Sequence, residues 1–188
     1  MSAISAQVIL GAYNYTQVED GQIIMFIPSQ YFRIHENYEP RMVEQDVATI
    51  ICSRFSITPL IQPIQLATDM SNLFTGEIAT VSGFGRYTDD HHRISDVIRF
   101  ADLRVITLTE CEQTFGAMIP SQMCCLGVER NASSCNGDSG GPLVVLKNGQ
   151  YILVGTVSFG ARAGCQRGFP SAYSRVSHFV SWIFAHMQ

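Results

Sequence analysis

The sequence predicts an all-β fold, an antiparallel barrel architecture that ends in one α-helix. Many short apolar and β-branched runs recur along the chain and are separated by turn residues, which is typical of antiparallel barrels. The Asn148-Gly149 pair favours a two-residue hairpin turn and lies between two such runs. From Val176 onward apolar residues recur every three or four positions, which predicts a helix that packs one apolar face on the sheets.

The individual strands follow from apolar runs taken in order along the chain. Before residue 70, strands are predicted at residues 7–11, 22–27, 31–34 and 47–51, and residues 59–63 form a linker-like stretch. Beyond residue 70, strands are predicted at residues 78–85, 97–105, 143–146 and 151–159. Thr109 is a good helix-capping residue and predicts the start of a short helix. At 188 residues, the chain forms one large domain or two small ones.

The composition excludes several classes of protein. Charged residues are 15% and hydrophobic residues 46% of the chain, which is typical of a globular protein and not of a disordered one. The net charge of -4 gives no reason to expect nucleic acid or an anionic membrane as a partner. No apolar run reaches the roughly 18 residues that span a bilayer. Residues 1–12 lack the basic start and the cleavage site of a secretory signal peptide.

Residues 135–142, Cys-Asn-Gly-Asp-Ser-Gly-Gly-Pro, predict a tight turn rich in exposed backbone. Glycine opens backbone angles that other residues avoid and proline removes a donor, so neither a helix nor a central strand suits this run. Such a turn points amides outward and presents the hydroxyl of Ser139, a combination that acyl transfer needs. The run resembles the nucleophile loop of the chymotrypsin-like serine proteases.

This resemblance implies a secreted endopeptidase that acts through an acyl-enzyme, with two Greek-key β-barrels of which the first is incomplete. It implies residues 1–63 as the remainder of the first barrel, 64–174 as the second barrel and 175–188 as the C-terminal helix. It further implies that Ser139 is the nucleophile and that the amides of Gly137 and Ser139 form the oxyanion hole. Asp138 matches the acid that pairs with the N-terminal ammonium created by activation cleavage, and we expect this chain to lack that N-terminus.

Asp46 stands at the head of an apolar run, where a carboxylate is either solvated or buried with a partner. Residues 35–50 resemble the part of the family that leads to the triad aspartate, which implies that Asp46 orients the general-base histidine. Matching residues 8–14 to the family places that histidine just before residue 1. The chain has five histidines, none of which fits the general base: His35, His91, His92, His178 and His186.

Two functions therefore stay open for the sequence. One is an N-terminally truncated serine endopeptidase that is inactive as written, because Ser139 lacks a base. The other is a catalytically silent homologue that binds or regulates a partner. The retained Ser139, Asp46 and Asp138 favour the endopeptidase, since a silent homologue has no chemical need for them.

The resemblance places a specificity pocket at Ser133, Ser158, Gly160 and Ser171. An uncharged Ser133 gives a lysine or arginine side chain no counter-ion, and a buried unpaired cation is strongly unfavourable. The small residues at 160 and 171 leave room for a large apolar side chain, as in the chymotrypsin- and collagenase-like enzymes of arthropods, which this segment resembles. The expected partners are protein or peptide substrates and protease inhibitors, in an extracellular location.

The resemblance pairs Cys111 with Cys125 and Cys135 with Cys165. By distance along the chain, Cys124 is an equal candidate for the bridge to Cys111. The remaining Cys52 and Cys124 are then free buried thiols or an unusual pair. The run Asp89-Asp90-His91-His92 could offer metal ligands, but adjacent residues in a loop rarely converge on one ion, so a solvated loop is favoured. We expect no metal and no cofactor.

Overall fold

The structure is a computed structural model that describes residues 3–187. In its first third, four strands form two separate antiparallel sheets of two strands each. β1 (Ser5–Leu10) pairs with β2 (Ile23–Pro28), and β3 (Phe32–Ile34) pairs with β4 (Ala48–Ile50). Within residues 3–187 these sheets do not close into a barrel, in agreement with the predicted incomplete first barrel.

Most of the remaining strands form one closed antiparallel barrel. The next strands in chain order are β5 (Gln65–Leu66), β6 (Ile78–Gly83), β7 (Arg99–Ile106), β8 (Gln122–Gly127), β9 (Pro142–Lys147), β10 (Gln150–Gly160) and β11 (Ser171–Arg175). The barrel runs β11-β8-β7-β6-β9-β10 and closes because β11 also pairs with β10. The short β5 adds to β10 in parallel. All eight strands predicted from the sequence are present, whereas β5, β8 and β11 were not predicted.

Fully buried apolar side chains from facing strands fill the barrel. This core includes Leu103, Val105, Met123, Leu143, Val154 and Tyr173. Burying a side chain of this size stabilises the fold by about 1.5–3 kcal/mol. The same packing fixes the strand ends, from which the loops of the candidate site extend.

Two α-helices cover the outside of the sheets. α1 (Leu108–Phe115) begins with a capping box, in which the Thr107 hydroxyl accepts from the Glu110 amide and the Glu110 carboxylate accepts from the Thr107 amide. The predicted cap was therefore placed two residues too late. α2 (Val176–Ala185) is the predicted C-terminal helix and buries Val176 and Phe179. Neither helix has the length and apolar character needed to cross a membrane.

The disulfide predicted between Cys111 and Cys125 is wrong: Cys111 bonds to Cys124. Neighbouring side chains of a strand point to opposite faces, so only one of two adjacent cysteines in β8 can reach α1. Cys124 packs with Cys111 in a small apolar cluster, whereas Cys125 points into the barrel core. Cys125 is free in the described chain, and burial raises the pKa of its thiol.

The second bridge joins Cys135 to Cys165, as the resemblance implies. Cys52 is free and exposed among the described residues, so the prediction that Cys52 and Cys124 are free buried thiols or a pair is wrong for both.

Candidate active site

Asp46 lies just before β4 and connects the first third of the chain to the barrel. Its carboxylate accepts a hydrogen bond of 2.6 Å from the Ser158 hydroxyl on β10. Its main-chain carbonyl accepts a second, also of 2.6 Å, from the Ser174 hydroxyl on β11. Asp46 is half-buried, so its carboxylate belongs to a defined hydrogen-bond network and is not simply solvated.

Ser139 is exposed in a tight turn between the Cys135 disulfide and β9. Gly137 and Gly140 adopt φ values of 100° and 79°, which only glycine tolerates readily, and these angles let the turn reverse within a few residues. The Gly140 amide donates to the Val157 carbonyl at 2.8 Å and holds the turn on β10. In the part of the chain that the structure describes, the amides of Gly137 and Ser139 donate to no protein acceptor.

The carboxylate of Asp138 binds main-chain amides. It accepts 2.7 Å and 2.9 Å hydrogen bonds from the amides of Gly85 and Cys135. Gly85 permits this approach, because a Cβ at that position would lie 2.5 Å from the carboxylate carbon. Gly85 was not among the predicted site residues, although the pair Gly83 and Gly85 at the end of a predicted strand was a usable signal. Asp138 also lines a neighbouring cavity of about 410 Å³.

A cavity of about 430 Å³ opens beside Ser139. Of the four residues predicted for the specificity pocket, Ser133, Ser158 and Gly160 line it. Ser171 does not, because it is buried and its hydroxyl is 2.8 Å from that of Tyr173. Burial raises the pKa of Tyr173, so that hydroxyl stays protonated. The walls also include apolar Val157, Phe159, Phe169 and Pro170.

No histidine of the described chain lines this cavity or hydrogen-bonds to Ser139 or Asp46. The ring of His35 packs on Phe179 and Trp182, at centroid distances of 5.8 Å and 5.0 Å. His178 contacts Phe179, and His186 contacts Trp182. His91 packs on Tyr87 in the loop after β6, and His92 follows it in that loop.

Among the described residues, Asp90, His91 and His92 belong to no group of three or more potential metal ligands. Asp89, the first residue of the same run, does lie near two cysteine sulfurs in the described chain, but these belong to the Cys135–Cys165 disulfide and cannot act as thiolate ligands. The Asp89 carboxylate instead accepts hydrogen bonds from the amides of Cys165 and Gln166.

A family model described as Trypsin matches residues 2–183. The chain belongs to the trypsin family. Membership confirms the resemblance to chymotrypsin-like serine proteases. It also explains why a six-stranded barrel and a C-terminal helix position the Ser139 loop.

Sequence relatives in the trypsin family include two arthropod proteases. A brachyurin of Leptuca pugilator is 35% identical over 178 residues, which cover 94% of this chain and 74% of the relative. A chymotrypsin of Phaedon cochleariae is 33% identical over 99% of this chain and 65% of the relative. Transmembrane protease serine 7 of Mus musculus is 36% identical over 85% of this chain but only 20% of the relative. This trypsin-family chain thus spans part of each relative.

Two solved structures share the trypsin fold of this chain. A structure described as HL collagenase superposes with a TM-score of 0.84 and 31% identity, over 97% of this chain and 76% of that one. Mouse neuropsin, a serine protease, superposes with a TM-score of 0.86 over 100% of this chain and 81% of that one. At 23% identity, the neuropsin match supports the fold alone.

Proposed function

We propose that this chain carries the nucleophile, oxyanion hole and specificity pocket of a serine endopeptidase that prefers large apolar residues. The observation that carries the proposal is the exposed Ser139 at the edge of the 430 Å³ cavity, beside two amides that donate to no acceptor among the described residues. We also propose an extracellular location and protein or peptide substrates, which the arthropod protease relatives support. Protease inhibitors that present an apolar side chain would use the same cavity.

In the proposed reaction, the Ser139 oxygen attacks a peptide carbonyl and forms a tetrahedral intermediate. The amides of Gly137 and Ser139 donate to its oxyanion, and removing one such donor typically slows the reaction by about 10²–10³-fold. The C–N bond then breaks, leaving an acyl group on Ser139 and releasing an amine that must gain a proton. Both steps need a base that takes the serine proton and returns it to the amine.

We assign Asp46 the role of orienting that base, because it lies in the network of Ser158, which lines the same cavity as Ser139. No imidazole of the described residues stands between them. We therefore propose that these 188 residues alone do not turn over substrate. This same observation favours the second candidate, a silent homologue that binds or regulates a partner through the cavity.

The preference for apolar residues is proposed from the charges around the cavity. Ser133 is uncharged, and among the described residues the charged side chains in the lining are Asp89, Arg86 and Arg162. Both Asp89 oxygens already accept hydrogen bonds from main-chain amides, so this carboxylate is a poor counter-ion for a lysine or arginine side chain. Phe159 and Phe169 supply apolar surface in the walls.

A fluorophosphonate probe tests the nucleophile. Alone, the chain should not label at Ser139, because the hydroxyl stays protonated; added imidazole should supply the missing base and restore slow labelling. Labelling is measured by mass spectrometry of the Ser139 peptide, with Ser139→Ala as the control. Full labelling without imidazole would refute the proposed inactivity. Failure to label even with imidazole would favour the silent homologue.

Two matched fragments test the pocket. Neutral 4-fluorobenzyl alcohol should bind, and cationic 4-fluorobenzylamine should bind at least about tenfold more weakly, since its ammonium finds no counter-ion. Fluorine relaxation in solution gives both dissociation constants, and Ser133→Asp is the complementary variant that should reverse the preference. Tighter binding of the amine to the unmodified chain would overturn the proposed apolar preference.

A further inference from the structure

Asp89 connects two segments that meet at the candidate pocket. It lies in the loop after β6, four residues beyond Gly85, and it lines the 430 Å³ cavity together with Gly164 and Cys165. Its carboxylate oxygens accept from the Cys165 amide at 2.9 Å and from the Gln166 amide at 3.0 Å. Its own amide donates to the Gln166 side chain at 2.9 Å.

These three hydrogen bonds are the main anchors of residues 161–170, which form one wall of the cavity between β10 and β11. In the described part of the chain, no other hydrogen bond ties this segment to residues outside it, and the disulfide from Cys165 is its remaining link. Gly164 and Gly168 adopt φ values of 121° and 72°, so the segment contains residues with wide backbone freedom. Without Asp89, little would hold this wall in one place.

The main chain at Gly164 lies directly against the Asp89 carboxylate. A Cβ at this residue would lie 2.5 Å from one carboxylate oxygen of Asp89. The main chain can approach Asp89 this closely because Gly164 has no side chain. A second glycine of the same segment, Gly168, has nothing within 4 Å of the corresponding position.

A series of hydrogen bonds and one disulfide also connects Asp89 to the Ser139 loop. Asp138 binds the amides of Gly85 and Cys135, Cys135 is bonded to Cys165, and the Cys165 amide binds Asp89. The Arg86 amide also donates to the Asn136 carbonyl at 2.9 Å, which joins the loop after β6 to the Ser139 loop a second time. Two carboxylates thus join the three segments around the cavity.

We propose that Asp89 is a positioning residue for the specificity pocket, one that holds residues 161–170 in the arrangement that admits a large apolar side chain. The inference rests on the proposed function for its substrate class, but its geometry is independent of catalysis. The amides of Cys165 and Gln166 lower the pKa of Asp89, so the carboxylate keeps both hydrogen bonds throughout the neutral range.

The test compares four variants of the chain, in two matched pairs. Asp89→Asn removes the two-oxygen acceptor, and Asp90→Asn changes the exposed neighbour, whose carboxylate accepts a hydrogen bond from the Thr88 hydroxyl. Gly164→Ala forces the Asp89 carboxylate away. Gly168→Ala adds a Cβ at another residue of positive φ, one that does not line the cavity and has open space around the added atom.

Asp89→Asn and Gly164→Ala should speed hydrogen exchange at the Cys165 and Gln166 amides by at least about tenfold. They should also weaken 4-fluorobenzyl alcohol binding by about tenfold. In the unmodified chain both amide proton resonances should titrate with Asp89 below the ordinary aspartate range, a signature absent from Asp89→Asn. The Asp90→Asn and Gly168→Ala variants should match the unmodified chain within about twofold.

Unchanged exchange in Asp89→Asn overturns the proposal, and so does faster exchange with unchanged fragment binding. If the unmodified chain binds no neutral fragment, the proposed apolar preference fails, while the exchange and titration measurements still decide the role of Asp89. If Asp89→Asn unfolds, Gly164→Ala provides the same comparison with Asp89 retained.

Discussion

Replacing both Cys135 and Cys165 with alanine should lower the free energy of unfolding by about 4 kcal/mol, because this bridge closes a loop with a sequence separation of 30. For a chain of this size, that loss corresponds to a fall in Tm of roughly 10 °C. The bridge joins the Ser139 loop to the wall segment 161–170, so 4-fluorobenzyl alcohol binding should also fall, by tenfold or more. Calorimetry and fluorine relaxation measure the two effects.

The second disulfide is the matched control. Replacing both Cys111 and Cys124, which have a sequence separation of 13, with alanine should lower the free energy of unfolding by about 3 kcal/mol. Neither cysteine lines the cavity, and of its walls Phe159 packs against their cluster. Below the Tm of the variant, fragment binding should therefore fall less than in the Cys135 and Cys165 double variant. Equal loss of binding in both double variants would contradict a specific role for the Cys135–Cys165 bridge in the pocket.

Asp138→Asn should lower the free energy of unfolding by about 3 kcal/mol. The carboxylate accepts two charge-assisted hydrogen bonds, from Gly85 and Cys135, each of which contributes about 1.5–3 kcal/mol, and an amide can replace only one acceptor. Because Asp138 stands between Gly137 and Ser139, the two unpaired amides should lose their alignment. Labelling of Ser139 by fluorophosphonate with imidazole should therefore slow by at least about tenfold.

Asp102→Asn is the control for this variant. Asp102 lines the same 410 Å³ cavity as Asp138, but it is exposed and its carboxylate accepts from the Thr80 hydroxyl at 2.7 Å. Loss of this exposed hydrogen bond should lower the free energy of unfolding by less than about 1 kcal/mol. Denaturant unfolding and labelling rates compare the two variants. An Asp138→Asn chain with the stability and labelling rate of Asp102→Asn would contradict the assigned role.

Strands that alternate or carry continuous apolar runs could be predicted from the sequence, but β8 and β11 could not. β11 has the sequence Ser-Ala-Tyr-Ser-Arg, which looks polar, yet all five residues are buried. Its polar groups find partners that only the folded chain provides: Ser171 with Tyr173, and Ser174 with the Asp46 carbonyl. β8 is buried at four adjacent residues and so shows no period of two.

The local features of the candidate site were also predictable, and the long-range contacts were not. Residues 135–142 define their own turn through glycine and proline, so Ser139 and its flanking amides follow from sequence. The partner of Cys111 depends on which face of β8 each cysteine occupies, and chain distance does not decide this. Asp89 looked solvated because its partners, Cys165 and Gln166, lie far along the chain.

The single tryptophan of the chain gives the molecule an internal optical signal that is separate from the pocket. Trp182 lies on α2, its indole N–H donates to the Glu36 carboxylate at 2.7 Å, and the rings of His35 and His186 lie 5.0 Å and 4.3 Å from it. Its emission therefore reports whether α2 remains docked on residues 35–36. A chain whose pocket wall has loosened keeps a native emission spectrum, so tryptophan fluorescence alone would count it as intact.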